Sequence, residues 1–347
     1  MDFELSPDQS DLQHGARDLL DGYSGPAQVR AHLAADRAYD ESLWSAMAEQ
    51  GWCAVAVPED QGGLGLGWVE AGVLLAEVGR HTSPVPLLPT LLATAALTRH
   101  GAHAELVERL AAGDAIGAVA WSADSVVSGA TRLGPVEGAS IADVLVVVMP
   151  DGVHLVEEWQ RPAQEPAMDL TRTLSWVDVD VAAAERIGDA ADAAFLGALG
   201  AVGSSAELLG GAERALEMAT EYAKDRVQFG QPIGSFQAIK HRCADMLVDV
   251  EGMRSVVWYG SWSVATVDDG WAMAASTAKV WCADASKRVM ASALQVHGGI
   301  GFTWEHDLHL FIKRAQFSQL DYGDAVFHRA ALGRALREQV LSGSGVM

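Results

Sequence analysis

Apolar residues recur at helical spacing over the first third of the chain. Ser6-Pro7 followed by Asp8 and Gln9 marks a helix start: a capping hydroxyl, proline in the first turn, and an acid against the positive helix end. Leu12, Ala16, Leu19 and Leu20 then share one face. A Trp44-Met47-Ala48 face leads into Gly51-Trp52, turn chemistry follows over Val57 to Gly65, and Val69 to Gly79 is helical again. The period then changes. Ala142 to Met149, Pro150-Asp151-Gly152 and Val153 to Val156 read as strand, turn and strand, and Leu174 to Val181 alternates as a half-buried strand does. Helical spacing returns with Cys243, Met246, Leu247, Val250, Met253 and Val257. A second long helix runs from Ala278 to Val296 and stops at His297-Gly298-Gly299. The expected organisation is helical over 1–113, a short β region over 114–188, helical over 189–341, and a tail over 342–347.

Composition narrows the classes. A chain of 347 residues that is 50% apolar can bury a large core. Its 24 basic and 46 acidic residues leave a formal charge of −22, which disfavours nucleic acid and anionic membrane as partners. An anionic ligand would need a local basic patch or a basic partner chain. Cys53, Cys243 and Cys282 are scattered and give neither a disulfide framework nor a CxxC site. The acidic opening lacks the order of a signal peptide, and no apolar run reads as a membrane span, so a cytoplasmic protein is expected. His306 and His309 lack a third ligand, so no metal is expected. Trp258, Trp262 and Trp281 fit helix packing, and Lys313-Arg314 fits a salt-bridged face.

Two segments carry candidate chemistry. In Asp225 to Gln237, an arginine and aromatic rings flank a Gly-Pro turn. Arg226 can grip phosphate with two prongs, or the segment is a plain helix-helix loop with a surface arginine. In Gln295 to Phe302, Gly-Gly-x-Gly lets a backbone approach a diphosphate, or it simply ends a helix. It follows a helix, so it is not a Rossmann fingerprint.

Together and in order, these segments resemble the acyl-CoA dehydrogenase family. So do Leu43-Trp44, Gly51-Trp52, Val57-Pro58-Glu59-Asp60-Gln61-Gly62-Gly63-Leu64-Gly65 and Glu77-Val78-Gly79-Arg80, together with the opening Met1-Asp2-Phe3 and Pro7-Asp8-Gln9. The resemblance covers nearly the whole chain. It implies a helical N-terminal domain, a β middle domain and a C-terminal four-helix bundle. It also implies α,β-desaturation of an acyl-CoA by a carboxylate base and FAD. Carried over, Arg226, Gln228, Phe229, Phe236, Gln237, Gln295, Gly298 and Gly299 would touch the diphosphate and adenosine half of an FAD in a neighbouring subunit.

The departures are as informative. Tyr322 and Gly200 stand at the two places where the family puts its glutamate base, so no catalytic residue is assigned. Asp321 and Asp324 are nearby carboxylates, better read as an acidic helix start. The family's stretch before the flavin is reduced to Ala120-Trp121-Ser122-Ala123-Asp124. Its flavin-facing strand is Gly134-Pro135-Val136-Glu137-Gly138-Ala139, without Trp or Thr. The chain therefore resembles the short, base-lacking subunit of actinobacterial α2β2 acyl-CoA dehydrogenases, some of which act on steroid side-chain thioesters. That resemblance implies a base-bearing partner that binds most of the acyl-CoA. The rivals are a self-sufficient enzyme using Asp324 or Asp321, a flavin-free structural partner, and a flavin oxygenase.

Overall fold

The computed structural model describes residues 4–101, 103–124 and 130–342. The opening Met1-Asp2-Phe3 and the tail beyond Ser342 lie outside the described residues. The chain starts with helices α1 (Pro7–Tyr23), α2 (Pro26–Ala34), α3 (Glu41–Glu49), α4 (Trp68–His81), α5 (Leu87–Thr98) and α6 (Ala104–Ala111). Ser6 opens α1 with a reciprocal capping box: its hydroxyl accepts from Gln9 N, and the Gln9 side chain accepts from Ser6 N.

Strands follow: β1 (Gly117–Trp121), β2 (Ala130–Glu137), β3 (Val144–Met149), β4 (Gly152–Val156), β5 (Leu174–Asp180) and β6 (Glu185–Gly188). The expected hairpin is present, with β3 and β4 antiparallel and Met149 opposite Gly152. One sheet has the order β1-β3-β4-β6, and a second pairs β2 with β5. β1 lies parallel to β3. The alternation of β5 is real: Trp176, Asp178 and Asp180 face out while Val177 and Val179 face in.

The remainder is helical: α7 (Ala190–Asp225), the small hairpin β7 (Val227–Gln228) and β8 (Gln231–Pro232), then α8 (Gln237–Thr266), α9 (Trp271–His297), α10 (Leu308–Ser318) and α11 (Ala325–Leu341). The α9 helix begins well before Ala278 and ends where the glycines require, with Gly298 at φ 62. One hydrophobic core joins all regions, from Ala16 in α1 to Tyr322 before α11. The architecture is the expected one, mostly helical around a small β region.

Several surface expectations need correcting. Leu247 is 49% exposed, because its position on α8 lies off the face that buries Met246, Val250 and Met253. Trp258 is buried, but Trp262 and Trp281 are exposed and instead stack on Tyr259 and beneath Arg288. Lys313-Arg314 is no salt-bridged face: Lys313 sits over the Trp304 ring at 3.9 Å, and Arg314 is buried. The α7 helix is long and apolar enough to cross a membrane by composition, yet 89% of its apolar window is buried inside the protein. Its apolarity serves the bundle core.

The crossing of α7 with α4 sets the geometry of the bundle. A Cβ on Gly210 would stand 1.7 Å from the Ala76 carbonyl oxygen, and one on Gly79 would stand 2.1 Å from the Glu207 oxygen. The two backbones touch there. Gly210→Ala should therefore separate the helices and destabilise the fold by about 2–3 kcal/mol or more, as overpacking does. Urea unfolding of the variant measures this; an unchanged midpoint would refute the close crossing.

Candidate active cleft and cofactor segments

The turn between α10 and α11 carries Tyr322 at φ 54, with its amide donating to Asp321 Oδ1 at 3.1 Å. The ring is 5% exposed and lies directly over Gly200 of α7. A Cβ on Gly200 would be 2.3 Å from the ring's Cδ1. The Tyr322 and Gly200 positions thus face each other, and the phenol fills the space between them. Trp121 tilts against this ring at 6.4 Å and meets Phe327 edge-on at 5.5 Å. Burial, with Asp321 and Glu137 nearby, pushes the Tyr322 phenol well above its usual range, so it keeps its proton.

Among the described residues, the other ionisable groups of this turn are engaged in local contacts. Asp324 caps α11, its Oδ1 accepting from Phe327 N at 2.8 Å. Asp321 is pushed up by burial, against the pull of Lys279 and Arg172. His328 is pushed down to about 4 by burial, so it is neutral near pH 7. Its Nε2–H donates to the Tyr322 carbonyl at 2.9 Å, and its Nδ1 accepts from the Ser276 hydroxyl at 3.1 Å. What remains beside Trp121, Trp271, Tyr322 and Phe327 is a largely apolar cavity of about 210 Å³.

Behind Tyr322 lies a buried cluster of charges. The Arg172 guanidinium donates to Glu137 at 2.9 Å and to Glu207 of α7, and lies 3.8 Å from Asp169. Its plane faces the Phe317 ring of α10 at 5.1 Å. Arg314 donates to the Thr171 hydroxyl at 2.6 Å and to the Ser83 carbonyl at 2.9 Å, with Asp169 at 3.6 Å. Lys279, with no exposed surface, donates to Ser204 Oγ at 2.7 Å and the Ser318 carbonyl at 2.5 Å; burial brings it down to about 8. Glu137, Glu207, Asp169 and Asp321 are thus carboxyl groups facing only Arg172, Arg314 and Lys279. One carboxyl must keep a proton for the cluster to be neutral. Glu137 meets that need, pushed up to about 7 by burial against the pull of Arg172.

The two glycine-bearing segments are placed quite differently. They open at the same end of the bundle, where Tyr222 in the last turn of α7 stacks on His297 in the last turn of α9 at 4.9 Å. Arg226, Gln228, Gln237, Gln295 and Gly299 are exposed. The Arg226 side chain has no partner among the described residues. Phe229, 92% exposed at φ 54, stands edge-on to the half-buried Phe236 at 6.0 Å. Added Cβ atoms on Gly230, Gly298 and Gly299 would meet nothing within 4 Å, so the backbone here is open to a ligand. Phe302 and Trp304 add exposed aromatic surface on the second segment. Among the described residues, no group of three or more metal-binding side chains occurs.

Residues 6–114 match the family model described as acyl-CoA dehydrogenase, N-terminal domain, and residues 198–336 match acyl-CoA dehydrogenase, C-terminal domain. The chain belongs to the acyl-CoA dehydrogenase family of oxidoreductases. It is 38% identical over 311 residues to acyl-CoA dehydrogenase IpdE2 of Mycobacterium tuberculosis, covering 88% of this chain and 90% of that one. A chain of the solved ChsE4–ChsE5 complex from Mycobacterium tuberculosis is 30% identical and aligns with a TM-score of 0.85 over 97% of this chain and 99% of that one. A chain of a solved Tcur3481–Tcur3483 steroid ACAD variant is 27% identical with a TM-score of 0.84, covering 96% and 99%.

Sequence reasoning did not find the Arg172 cluster. One signal was available: Glu207 interrupts the apolar run Ala206-Glu207-Leu208-Leu209, and a charge inside such a run has to be paired. Removing Arg172 strands Glu137 and Glu207, so Arg172→Leu should lower stability by about 3–5 kcal/mol, read from urea unfolding. A loss within error of zero would show that the guanidinium holds nothing. The proton on Glu137 gives a pH signature. Its folded value lies above its unfolded one, so its stabilisation is full below about 4.5 and is lost as pH rises through about 7. Urea midpoints should fall between pH 5 and pH 8 more steeply in the wild type than in Glu137→Gln; parallel curves would place the proton elsewhere.

Proposed function

We propose that this chain is the base-lacking subunit of a two-chain, FAD-dependent acyl-CoA dehydrogenase. It completes a cofactor site in its partner and has no desaturating site of its own. The observation that carries this reading is the Tyr322 ring packed on Gly200 in front of the Arg172 cluster. A positioned base is worth about 10²–10⁴-fold in rate, and a buried neutral phenol cannot supply it.

FAD, when bound, accepts the hydride that leaves the β-carbon of the thioester. The residues of this chain fit one half of that cofactor and not the other. The strand that the family lays along the flavin ring turns the Glu137 carboxylate inward onto Arg172, so a ring has no cradle there. The open segments suit the diphosphate and adenosine half. Arg226 supplies an unspent cation in a chain of net charge −22, and the uncrowded backbone at Gly298 and Gly299 leaves room for a phosphate to approach. Phe229 and Phe236 offer ring faces for adenine, with the amides of Gln228, Gln237 and Gln295 alongside. Arg226 lies roughly 40 Å along α7 from Gly200, at 1.5 Å per residue. These segments therefore serve a cofactor whose ring sits in another chain, in an α2β2 assembly with the catalytic subunit. The partner contributes the base and binds most of the acyl-CoA. The likeness to a chain of a steroid ACAD supports a steroid side-chain thioester as the substrate class.

Co-expression with a base-bearing partner tests this. The chain alone should purify colourless, and the complex should carry one FAD per pair of chains. Arg226→Ala should weaken FAD binding to the complex by about tenfold or more, the worth of a charge-assisted hydrogen bond. Asp324→Asn, which preserves the cap, should leave turnover unchanged. One FAD per chain, or turnover lost with Asp324→Asn, would overturn the reading.

A further inference from the structure

A cavity of about 260 Å³ lies away from the Tyr322 cleft. It forms where the α1–α2 link, the end of α4, the last third of α7 and the start of α10 converge. Its floor is apolar, made by Val29, Met218 and Phe311. Its wall carries guanidinium groups. Arg80 grips Glu217 with both prongs at 2.5 and 2.8 Å, and Arg214 reaches the same carboxylate at 3.1 Å. Arg214 makes no further side-chain hydrogen bond among the described residues, so its remaining N–H groups can serve a ligand. Of the acids lining the cavity, Asp307 is paired with Arg30, and Asp21 contacts His81.

A second feature points the same way. Ser24 is 2% exposed and lines the cavity, and its hydroxyl has no hydrogen-bond partner. A buried hydroxyl left without a partner costs free energy that a bound acceptor would recover. An apolar floor, unused guanidinium donors and one spare hydroxyl describe a complement.

We propose that this cavity is a binding site for a small monocarboxylate with a compact apolar ring or branched body, separate from the flavin chemistry. The carboxylate would lie against Arg214 and Arg80, accept from Ser24, and set its hydrocarbon on Met218 and Phe311. A volume near the lower end for ligand pockets excludes a CoA ester or a dinucleotide. The site also adjoins the loop after α9, because Arg30 donates both to Asp307 and to the Trp304 carbonyl at 2.6 Å.

Isothermal titration of the full chain with cyclohexanecarboxylate, cyclohexylmethanol and inorganic phosphate tests the assignment. The carboxylate should bind saturably, one per chain. The alcohol, which lacks the charge, and phosphate, which lacks the apolar body, should each bind at least about tenfold more weakly, a difference of about 1.4 kcal/mol. Arg214→Gln should weaken the carboxylate by a similar factor, and Met218→Trp, which fills the floor, should abolish binding with unchanged circular dichroism. No saturable binding to the wild-type chain would overturn the proposal. So would alcohol or phosphate binding as tightly as the acid, or both variants binding as the wild type does.

Discussion

The buried guanidinium of Arg172 is the constraint on which the cleft depends. It ties Glu137 at the end of β2 to Glu207 on α7 and lies against Phe317 of α10, so strand, turn and both helices meet at one charge. A buried ion pair of this kind adds little net stability over an apolar filling, but losing one member is costly. Its effect is therefore on arrangement. With Arg172, Arg314 and Lys279 all neutralised internally, the space between the β region and the bundle is committed to protein groups. Tyr322 seals the front of that space by lying on Gly200, a contact that no residue with a side chain at position 200 could allow.

Polarity is distributed in two opposite ways along the same helix. The first half of α7 is almost entirely buried, and its polar groups are paired inside the protein. Its far end delivers an unpaired arginine, an exposed phenylalanine and an open glycine turn to the surface. Contiguous exposed aromatic surface marks an interaction site, and an arginine beside it suits an anionic group. Their cluster at one end of the bundle, in a chain otherwise strongly acidic, is consistent with an anionic cofactor held jointly with another chain. Under the proposed division of labour, with the base and the flavin ring in one subunit and the diphosphate contacts in another, activity would be conditional on assembly.

The fold was legible where pattern and turn chemistry agree. The Ser6 capping box, the β3–β4 hairpin and the glycine stop of α9 each follow from local rules and each occur. The β1 strand was not legible, because Gly117 to Trp121 is a short apolar run without alternation. The Gly134-Pro135 pair hid β2, which keeps its pairing with β5 only through a register shift between Leu133 and Val136. Of the candidate site, the exposure of the two glycine-bearing segments follows from their turn chemistry, while their cofactor role and the two positions offered for a base come from resemblance alone. The filling of the cleft could not, because Arg172, Glu137 and Glu207 are far apart in sequence and meet only through tertiary packing. Arg314 shows the same limit: beside Lys313 it reads as surface charge, yet the turn bearing Thr171 buries it.

Locating flavin directly in a structure of the purified two-chain complex is the most searching measurement. The flavin rings should lie only in the partner subunits, with density for the diphosphate reaching Arg226 and Gly298 of this chain and the Arg172–Glu137–Glu207 contacts intact. A flavin ring seated between Glu137 and Tyr322 of this chain, with those contacts broken, would contradict the division of labour.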